Sequence, residues 1–402
     1  MALRTVDEHL AAILEAITPV PALEVAVLEA RGAVLAETVT ATVSLPPFDN
    51  SAMDGYAVIA ADVAAASAET PVTLPVIGDI AAGEPAVEAI RPGMCARIMT
   101  GAPMPAGGDA VVPVEWTDGG TASVRISKSA PPGHYIRRSG EDVTAGQRVL
   151  AAGTRLGAAQ VGMLAAVGRA QVAVRPRPRV VVLSTGSELR EPGLPLGHGE
   201  IWDSNSYMLA AAAAEAGAVG YRETTLADEP AKVIEAIEDQ VTRADAIVTS
   251  GGVSMGARDV VKEVLTGRVT FSKVAMRPGK PQGFGVLGER TPIFTLPGNP
   301  VSAYVSFQVF VRPALRALQG LPPEPPTLVT ASLTEPVTSP AGLRHFMRAT
   351  LTFDEGRYSV APAEAQGSHQ LAALAAANAL IVVPDDVDSL PAGAQVDVMR
   401  LP

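Results

Sequence analysis

The chain has 402 residues, of which 48% are hydrophobic and 18% charged. That composition can fill several buried cores and excludes an intrinsically disordered protein. The formal net charge of −11 argues against general binding to nucleic acid or to an anionic membrane surface. The single cysteine, Cys95, excludes an intrachain disulfide and is expected to be a buried thiol. The charged N-terminus and the lack of a long apolar run predict no signal peptide and no membrane span, so we expect a cytoplasmic protein.

The N-terminal part begins with a predicted helix. Residues 5–17 have the apolar spacing of an amphipathic helix, and Thr5 and Glu8 have the spacing of a capping box. A second, short helix is predicted within residues 23–45, ahead of an alternating run. Another helical stretch, at 158–167, is expected to partner the N-terminal helix.

Between these segments the pattern changes. Residues 46–145 contain short β-like runs separated by Gly, Pro and Asp, which predicts a small β-rich domain. Its place in the chain suggests that it is inserted between two halves of one domain.

Strands and helices alternate after the Pro- and Arg-rich linker 175–179. Apolar strands followed by helices predict a parallel or mixed sheet with helices on both faces, the α/β class. The strands are predicted at 180–183, 246–249 and 293–296, and the helices at 206–216, 232–241, 260–265 and 301–318. Beyond the second linker, 320–326, short alternating strands predict a C-terminal β-domain over 327–402.

Three glycine-containing loops directly follow predicted strands: Ser184-Thr-Gly-Ser-Glu-Leu189, Thr249-Ser-Gly-Gly-Val-Ser-Met-Gly256 and Leu296-Pro-Gly-Asn-Pro-Val-Ser302. Ligands of open α/β sheets bind beyond the carboxyl ends of the strands. Asn299 is a candidate N-cap and Pro300 suits the first helical position, so the helix start is expected to offer free N–H groups to an anion. Each loop alone is also compatible with ordinary strand-to-helix turn chemistry.

Cations and carboxylates provide the remaining signals. Read as one strand, the segment after Phe271 places Lys273 and Arg277 on one face, with Lys280 after a Pro-Gly turn. Such a cluster suits an anionic substrate, or guards an exposed edge strand. Acidic groups near the loops imply a hard cation such as Mg²⁺ between them and an anion, although each acid could equally be a cap or turn residue.

Several common enzyme classes lack their signals. The chain has no nucleotide-binding GxxxxGK[ST] or GxGxxG loop, no zinc-spaced His/Cys cluster and no Gly-x-Ser-x-Gly elbow. These observations argue against a common nucleotide-binding loop, a zinc hydrolase and a serine hydrolase.

Seven segments, in order along the chain, form a longer pattern: Pro47-Phe-Asp-Asn-Ser-Ala-Met-Asp-Gly-Tyr-Ala-Val58, Ala96-Arg-Ile-Met-Thr-Gly-Ala-Pro-Met-Pro105, Arg137-Arg-Ser-Gly-Glu-Asp142, Ser184-Thr-Gly-Ser-Glu-Leu189, Ser250-Gly-Gly-Val-Ser-Met-Gly256, Met276-Arg-Pro-Gly-Lys-Pro281 and Leu296-Pro-Gly-Asn-Pro-Val-Ser302. Together they resemble the molybdopterin molybdenumtransferase (molybdenum insertase) family, which includes the C-terminal domain of gephyrin. The resemblance begins near residue 5 and is weakest after residue 325.

The resemblance implies four domains and a homodimer. They are an elongated N-terminal domain (1–45 with 146–175), an inserted β-rich domain (46–145), a three-layer α/β molybdopterin-binding domain (176–322) and a C-terminal β-barrel (323–402). It also implies an active site between the α/β domain of one subunit and the inserted domain of the other.

The activity that the resemblance implies is a step of molybdenum cofactor biosynthesis. Molybdate is inserted into adenylylated molybdopterin with release of AMP, and Mg²⁺ takes part. Molybdopterin adenylyltransferase and molybdoenzyme acceptors are the implied partners, and neither nucleic acid nor membrane is expected. The sequence does not decide whether the metal is Mg²⁺ or another divalent ion, or whether the oxyanion is molybdate or tungstate. It also does not decide whether the final cofactor is the bare or the nucleotide-extended form.

Roles carried over by motif fall into three groups. The catalytic group comprises Asp54, Thr100, Asp142, Glu188, Asp228 and Asp259. Of these, Glu188, Asp228 and Asp259 are the metal-binding candidates, whereas Asp54, Thr100 and Asp142 are expected from the partner subunit. The substrate-binding group comprises Thr185, Gly186, Ser250, Gly251, Gly252, Ser254, Lys273, Arg277, Lys280, Pro297, Gly298, Asn299, Pro300 and Ser368.

Two other functions remain open at this point. A non-catalytic scaffold with the same fold is disfavoured because the chain retains Asp54, Asp142, Asp259 and Lys273 together. A molybdopterin adenylyltransferase would be one small domain, and it would leave residues 1–175 and 327–402 without a purpose.

Overall fold

The computed structural model describes residues 3–83, 89–223, 229–252, 260–324 and 327–402. The helices are α1 Val6–Ala16, α2 Ala158–Ala166, α3 Asn205–Glu215, α4 Pro230–Val241, α5 Val260–Leu265, α6 Pro300–Ser306, α7 Arg312–Leu318 and α8 Leu371–Ala375. Short 3₁₀ turns occur at Ala60–Val63 and Val114–Trp116, and a π-helical turn, Phe307–Val311, joins α6 to α7.

The strands are mostly short, with two to six residues. They are β1 Leu23–Ala26, β2 Val34–Leu35, β3 Val39–Thr40, β4 Asn50–Ser51, β5 Gly55–Val58, β6 Val72–Ile80, β7 Cys95–Ile98, β8 Ala110–Pro113, β9 Ser123–Ile126, β10 Ile136–Arg137, β11 Arg148–Leu150, β12 Gln171–Arg175, β13 Arg179–Ser184, β14 Leu189–Arg190, β15 Ile201–Trp202, β16 Val219–Arg222, β17 Ala246–Ser250, β18 Val269–Lys273, β19 Met276–Arg277, β20 Pro281–Leu287, β21 Thr291–Leu296, β22 Leu328–Leu333, β23 Val337–Thr338, β24 Arg344–Asp354, β25 Arg357–Pro362, β26 Ala379–Val383, β27 Ser389–Leu390 and β28 Gln395–Arg400. The longest are β6 and, in the C-terminal part, β24.

The chain forms two compact units. One comprises residues 1–24, 32–36 and 173–402, and the other comprises 25–31 and 37–172. The four-domain division with the boundaries given above remains a prediction. Among the described residues, no helix has both the length and the apolar character that crossing a membrane requires.

The larger unit contains a six-stranded sheet in the order β16-β13-β17-β21-β20-β18. The first four strands are parallel, and β20 and β18 are antiparallel to their neighbours. Successive residues of β13 point to opposite faces: Val182 packs in a core with Leu209 of α3, and Val181 in a second core with Ile237 of α4. Apolar strands with helices on both faces confirm the predicted three-layer α/β fold.

A closed barrel follows the α/β part. Its strands run in the order β24-β25-β22-β28-β26, and pairing of β24 with β26 closes the ring. Closure leaves no free edge among these five strands. The interior holds small and branched side chains, among them Ala331, Val360, Ile381 and Val398. The C-terminal β-barrel predicted from the sequence is thereby confirmed.

The smaller unit is β-rich, as predicted. Its five-stranded sheet has the order β8-β5-β7-β6-β9, and alternating residues of β5 supply two cores, Tyr56 and Val58 on one face and Ala57 on the other. Cys95 begins β7 and is fully buried. Burial raises the pKa of its thiol to about 12, which suppresses the reactive thiolate and agrees with a structural cysteine.

The N-terminal predictions have mixed outcomes. The helix α1 and its capping box are confirmed, with reciprocal hydrogen bonds between Thr5 and Glu8. The helix predicted within residues 23–45 is wrong, because this segment contains the strands β1, β2 and β3 and no helix. The apolar spacing of this segment is compatible both with a short half-buried helix and with short strands. Pairing with strands that are distant in sequence determines which of the two forms.

Two buried histidines make stability of the larger unit depend on pH. Burial lowers the pKa of both His9 and His345 from 6.5 to about 4, with Arg4 acting in the same direction on His9. The native imidazoles are therefore neutral between these pH values while the unfolded chain takes up protons. The contribution of these two histidines to the free energy of unfolding is therefore fully present above about pH 6.5. It is lost progressively as the pH falls towards 4.

We predict that His9→Leu reduces this acid sensitivity, because a leucine beside Phe310 carries no titratable group. Each histidine is expected to account for about 3 kcal/mol over the full window. The free energy of urea unfolding, measured at a series of pH values, tests this. His198→Leu is the control, because His198 lies in an exposed loop, and in this variant the unfolding free energy should change with pH as it does in the wild type. If His9→Leu also shows the wild-type dependence on pH, the prediction is contradicted.

A candidate active site at the carboxyl ends of parallel strands

Three parallel strands end side by side in the larger unit. Ser184 at the end of β13 is paired in register with Ser250 of β17, and Ser250 with Leu296 of β21. The three glycine loops therefore leave the sheet at one edge, as the sequence predicts. A cavity of about 740 Å³ opens there, and it is lined by residues of all three loops.

Most of the predicted binding residues that the structure describes line this cavity. They are Thr185, Gly186, Glu188, Ser250, Gly251, Gly252, Pro297, Gly298, Asn299 and Pro300. The predicted residues Asp228, Ser254 and Asp259 lie outside the described residues.

A carboxamide that the sequence analysis missed holds two of the loops together. Asn205, the first residue of α3, donates from Nδ2 to Ser250 Oγ at 2.7 Å and to the Gly298 carbonyl at 2.7 Å. Since both acceptors belong to glycine loops, this one side chain fixes their separation. The signal available in the sequence was the Asp203-Ser-Asn205 triplet just ahead of a helix, which is typical of capping residues.

Asp203 is one of the acidic groups near the loops from which the sequence predicted a hard cation, and the structure places it in a different environment. It is almost fully buried and accepts hydrogen bonds from Ser184 Oγ at 3.1 Å and from the hydroxyl of Ser206 at 2.6 Å. Arg222 lies 3.9 Å from the same carboxylate. A buried charge with these partners is paired and satisfied, so Asp203 positions the end of β13 rather than serving as an open ligand.

Gly251 allows the second loop to lie unusually close to the first. Its φ is +96°, and a Cβ at this position would lie 2.8 Å from the Thr185 carbonyl oxygen. The backbone of Gly298 is also near, since a Cβ there would lie 3.5 Å from Gly251 Cα. Loops this close expose backbone rather than side chains to the cavity, which suits the approach of a phosphate or oxyanion.

The start of α6 differs from the prediction. Asn299 occupies the N-cap position and Pro300 the first helical position, but Asn299 makes no capping hydrogen bond with its side chain. Its Nδ2 instead donates to Ser368 Oγ at 3.0 Å, and the Val301 N–H donates to the Ser368 carbonyl at 3.1 Å. The helix start is thus partly satisfied by the loop after β25, and the expectation of free N–H groups there is corrected.

The three predicted cations lie in one tight segment but not on one strand. Lys273 ends β18, Arg277 lies in β19, which pairs with the barrel strand β24, and Lys280 precedes β20. The single strand expected through Lys273 and Arg277 is therefore wrong, because the chain changes partner sheet between them. Lys273 is paired in register with Pro281, and the Lys280 carbonyl accepts from the Val274 N–H. The backbones at Lys273 and Lys280 are therefore neighbours where β18 and β20 pair.

Their relation to the cavity is indirect. None of the three cations lines it, whereas Pro281, directly after Lys280, does. All three are exposed, and no ion pair joins them to a carboxylate of the described chain.

Among the described residues that line the cavity, Glu188 is the exposed acidic one. It is exposed, and its carboxylate folds back towards Gly186, where a Cβ would lie 2.7 Å from Glu188 Oε2. The described part of the chain contains no group of three or more His, Cys, Asp or Glu side chains arranged for a metal. One exposed carboxylate at the wall of the cavity is nevertheless the kind of ligand that suits Mg²⁺, which often binds through one or two carboxylates and the substrate's phosphates.

The smaller unit brings two of the other predicted catalytic residues together. Asp54 Oδ1 accepts hydrogen bonds from the Thr100 N–H at 2.7 Å and from the Thr100 hydroxyl at 2.8 Å. These hydrogen bonds, the backbone one first, lower the pKa of Asp54. Asp142 lies in another loop of this unit, is exposed, and donates its N–H to the Leu45 carbonyl.

A neighbouring acid has a structural role. Asp49 accepts from the Ser139 N–H at 2.8 Å and pairs with Arg138 at 2.7 Å, and both contacts lower its pKa. Asp49 thereby ties the loop that contains Asp142 to the segment before Asp54.

Comparisons with known proteins cover the whole chain. Residues 4–168 match the model of the "MoeA N-terminal region (domain I and II)", residues 181–317 that of a "Probable molybdopterin binding domain" and residues 330–401 that of the "MoeA C-terminal region (domain IV)". Molybdopterin molybdenumtransferase 2 of Mycobacterium tuberculosis is 48% identical over 99% of this chain and 100% of its own length. Molybdopterin molybdenumtransferase of Bacillus subtilis is 36% identical over 91% and 87%, respectively.

Solved structures agree with this result. Two solved structures described as molybdopterin biosynthesis MoeA protein from Pyrococcus horikoshii match with TM-scores of 0.83 and 0.79 at 31% and 29% identity. In both cases 99% of this chain is covered, with 99% and 100% of the other chain. The fold and the loops thus define a multidomain protein with a molybdopterin-binding α/β domain. The chain belongs to the molybdopterin molybdenumtransferase family, whose members are molybdenum-transferring enzymes.

We predict that Gly251→Ala destabilises the larger unit by about 2–4 kcal/mol, because it adds left-handed strain and a contact with the Thr185 carbonyl. Gly267→Ala is the matched control, since Gly267 also has a positive φ of +84° but no atom lies within 4 Å of its Cβ position. It should lose only about 1 kcal/mol. Urea unfolding of both variants makes the comparison; equal losses would show that the close approach is unimportant.

Proposed function

We propose that this chain inserts molybdate into adenylylated molybdopterin, releasing AMP and giving the molybdenum cofactor. One observation carries the proposal: three glycine loops and one open carboxylate, Glu188, surround a cavity at the ends of parallel strands. In a member of this family, that cavity is the place for a pterin substrate with phosphate groups. Its size lies in the range of small-molecule sites.

The residues of the chain divide the work of binding. The backbone near Gly251 and Gly298 receives the phosphate groups, because no side chain intervenes there. Asn205 keeps these two loops at a fixed distance, so the site is ordered before the substrate arrives. Lys273, Arg277 and Lys280 attract and hold molybdate or phosphate, since they form an exposed cationic segment beside Pro281.

Magnesium is the cofactor proposed for the reaction. Glu188 would hold it together with phosphate oxygens of the substrate, and Asp228 and Asp259 are further candidates on sequence grounds. When bound, Mg²⁺ neutralises charge that develops on the scissile phosphoanhydride. Glu188 itself supplies a carboxylate at the wall of the cavity.

We predict that Glu188→Gln slows AMP release at least about 100-fold, because the amide keeps the shape but loses the charge that a cation needs. The assay contains adenylylated molybdopterin, molybdate and Mg²⁺. Glu238→Gln is the control, since Glu238 lies on α4 in an exposed ion pair with Arg268, and it should retain the wild-type rate. Molybdate-independent AMP release, or no release by the wild-type chain, would refute the insertase function.

We further propose that the enzyme is a homodimer in which Asp54, Thr100 and Asp142 of one subunit act on the substrate of the other. The pair formed by Asp54 and Thr100 supports an active role, because both groups are exposed and preorganised by two hydrogen bonds. The proposed partners are molybdopterin adenylyltransferase, which would supply the substrate, and molybdoenzymes, which would accept the product.

Complementation between two inactive variants tests the shared site. Glu188→Gln and Asp54→Ala should each be inactive, but a mixture allowed to exchange subunits should recover about a quarter of the wild-type rate. Half of the dimers are then mixed, and each mixed dimer has one intact site. If each chain completes its own site, mixing will restore nothing; sedimentation of the mixture verifies that dimers form.

A further inference from the structure

One wall of the cavity differs in chemistry from the glycine loops. Ile201 and Trp202 of β15 line it, and both are about half exposed, at 55% and 51%. Most of the remaining lining residues are small, so Trp202 supplies by far the largest aromatic surface. An exposed aromatic face inside a pocket that also has polar groups is surface that a bound ligand can cover.

The indole ring is held in place by the chain. Its Nε1–H donates to the Leu194 carbonyl at 2.9 Å, so the polar group of the ring is already satisfied. The loop that carries Leu194 is closed at its base by the ion pair of Arg190 with Glu200, and Glu200 also accepts from the Gly197 N–H at 2.8 Å. A ring fixed in this way loses little entropy when a ligand packs on it.

The backbone below the ring is also fixed. β15 pairs in parallel with β14, and the Asp203 N–H donates to the Arg190 carbonyl at 2.9 Å. Asp203 points into the protein, where it accepts from Ser184 and Ser206. Asp203 is only 1% exposed whereas the adjacent Trp202 is 51% exposed, so the indole lies outside that buried network.

We propose that Trp202 is a specificity-determining residue that stacks on a planar nitrogen heterocycle of the substrate. The inference rests on the proposed function, since the same cavity receives the phosphate groups at its glycine loops. The two walls then recognise two chemistries of one molecule: backbone receives the anionic part and the indole receives a ring. Aromatic stacking tolerates different rings, and both pterin and adenine have the required chemistry.

Fluorescence can report the contact directly, because the chain contains only two tryptophans, Trp116 and Trp202. In Trp116→Phe, Trp202 is the sole indole. Titration of this variant with AMP, and separately with a pterin monophosphate, should quench its emission in a saturable way for the ligand whose ring stacks. Inorganic pyrophosphate, which has no ring, should bind without quenching. The ligand that quenches tells adenine from pterin.

Affinity provides the second measurement. Trp202→Ala should weaken binding of the quenching ligand by about tenfold to a hundredfold and change pyrophosphate affinity less than about twofold. Trp202→Phe should keep most of the affinity because it retains an aromatic face. Leu194→Ala is the control: it removes another exposed apolar side chain of the same loop but keeps the carbonyl that accepts from the indole.

The outcomes are separable. If neither ring ligand quenches, or if Trp202→Ala leaves both affinities unchanged, the stacking inference is overturned, even when AMP release proves the insertase function. If Trp202→Ala dissociates the dimer in sedimentation and spares ring affinity, Trp202 belongs to an interface and the inference also fails. If the wild-type chain releases no AMP, ring-dependent quenching still establishes the aromatic subsite while the proposed reaction falls.

Discussion

The parallel pairing of β13, β17 and β21 is the constraint on which the candidate site depends. In-register pairing of Ser184, Ser250 and Leu296 forces three separate loops to start at one edge. The apolar residues of these strands are buried on both faces, which makes the edge rigid. Once the loops meet, the close approach of Gly251 to Thr185 and the bridge from Asn205 give the cavity its shape.

One hydrogen-bonded carboxylate in each unit holds a loop or strand end in place: Asp203, which is buried, and Asp49, which is partly exposed. Asp203 secures the end of β13 through Ser184 and Ser206, and Asp49 secures the loop before Asp142 through Ser139 and Arg138. In each case a carboxylate is used to orient backbone near a candidate catalytic residue. Hydrogen-bonded carboxylates of this type exert their effect through geometry, since their charge is already satisfied by partners.

Local patterns predicted a large part of the architecture. The capping box of Thr5 and Glu8, the apolar strands and the glycine loops are local signals, and the α/β sheet and the barrel are where the sequence places them. The helix expected within 23–45 failed because short strands and a half-buried helix share its apolar spacing. The strand expected through Lys273 and Arg277 failed because β18 and β19 join different sheets, and a choice of sheet is not a local property. The same reason explains why Asn205 and Trp202 escaped notice: their roles depend on loops that are distant in sequence.

The contacts of Ser368 connect the start of α6 with a loop that follows β25. One residue of the barrel region therefore accepts hydrogen bonds from both the Asn299 side chain and the Val301 amide, and Asn299 lines the cavity. The two regions cannot then diverge independently in evolution. An insertion or deletion in the barrel region that moves Ser368 would also move the third glycine loop. Changes in one region should therefore be accompanied by compensating changes in the other.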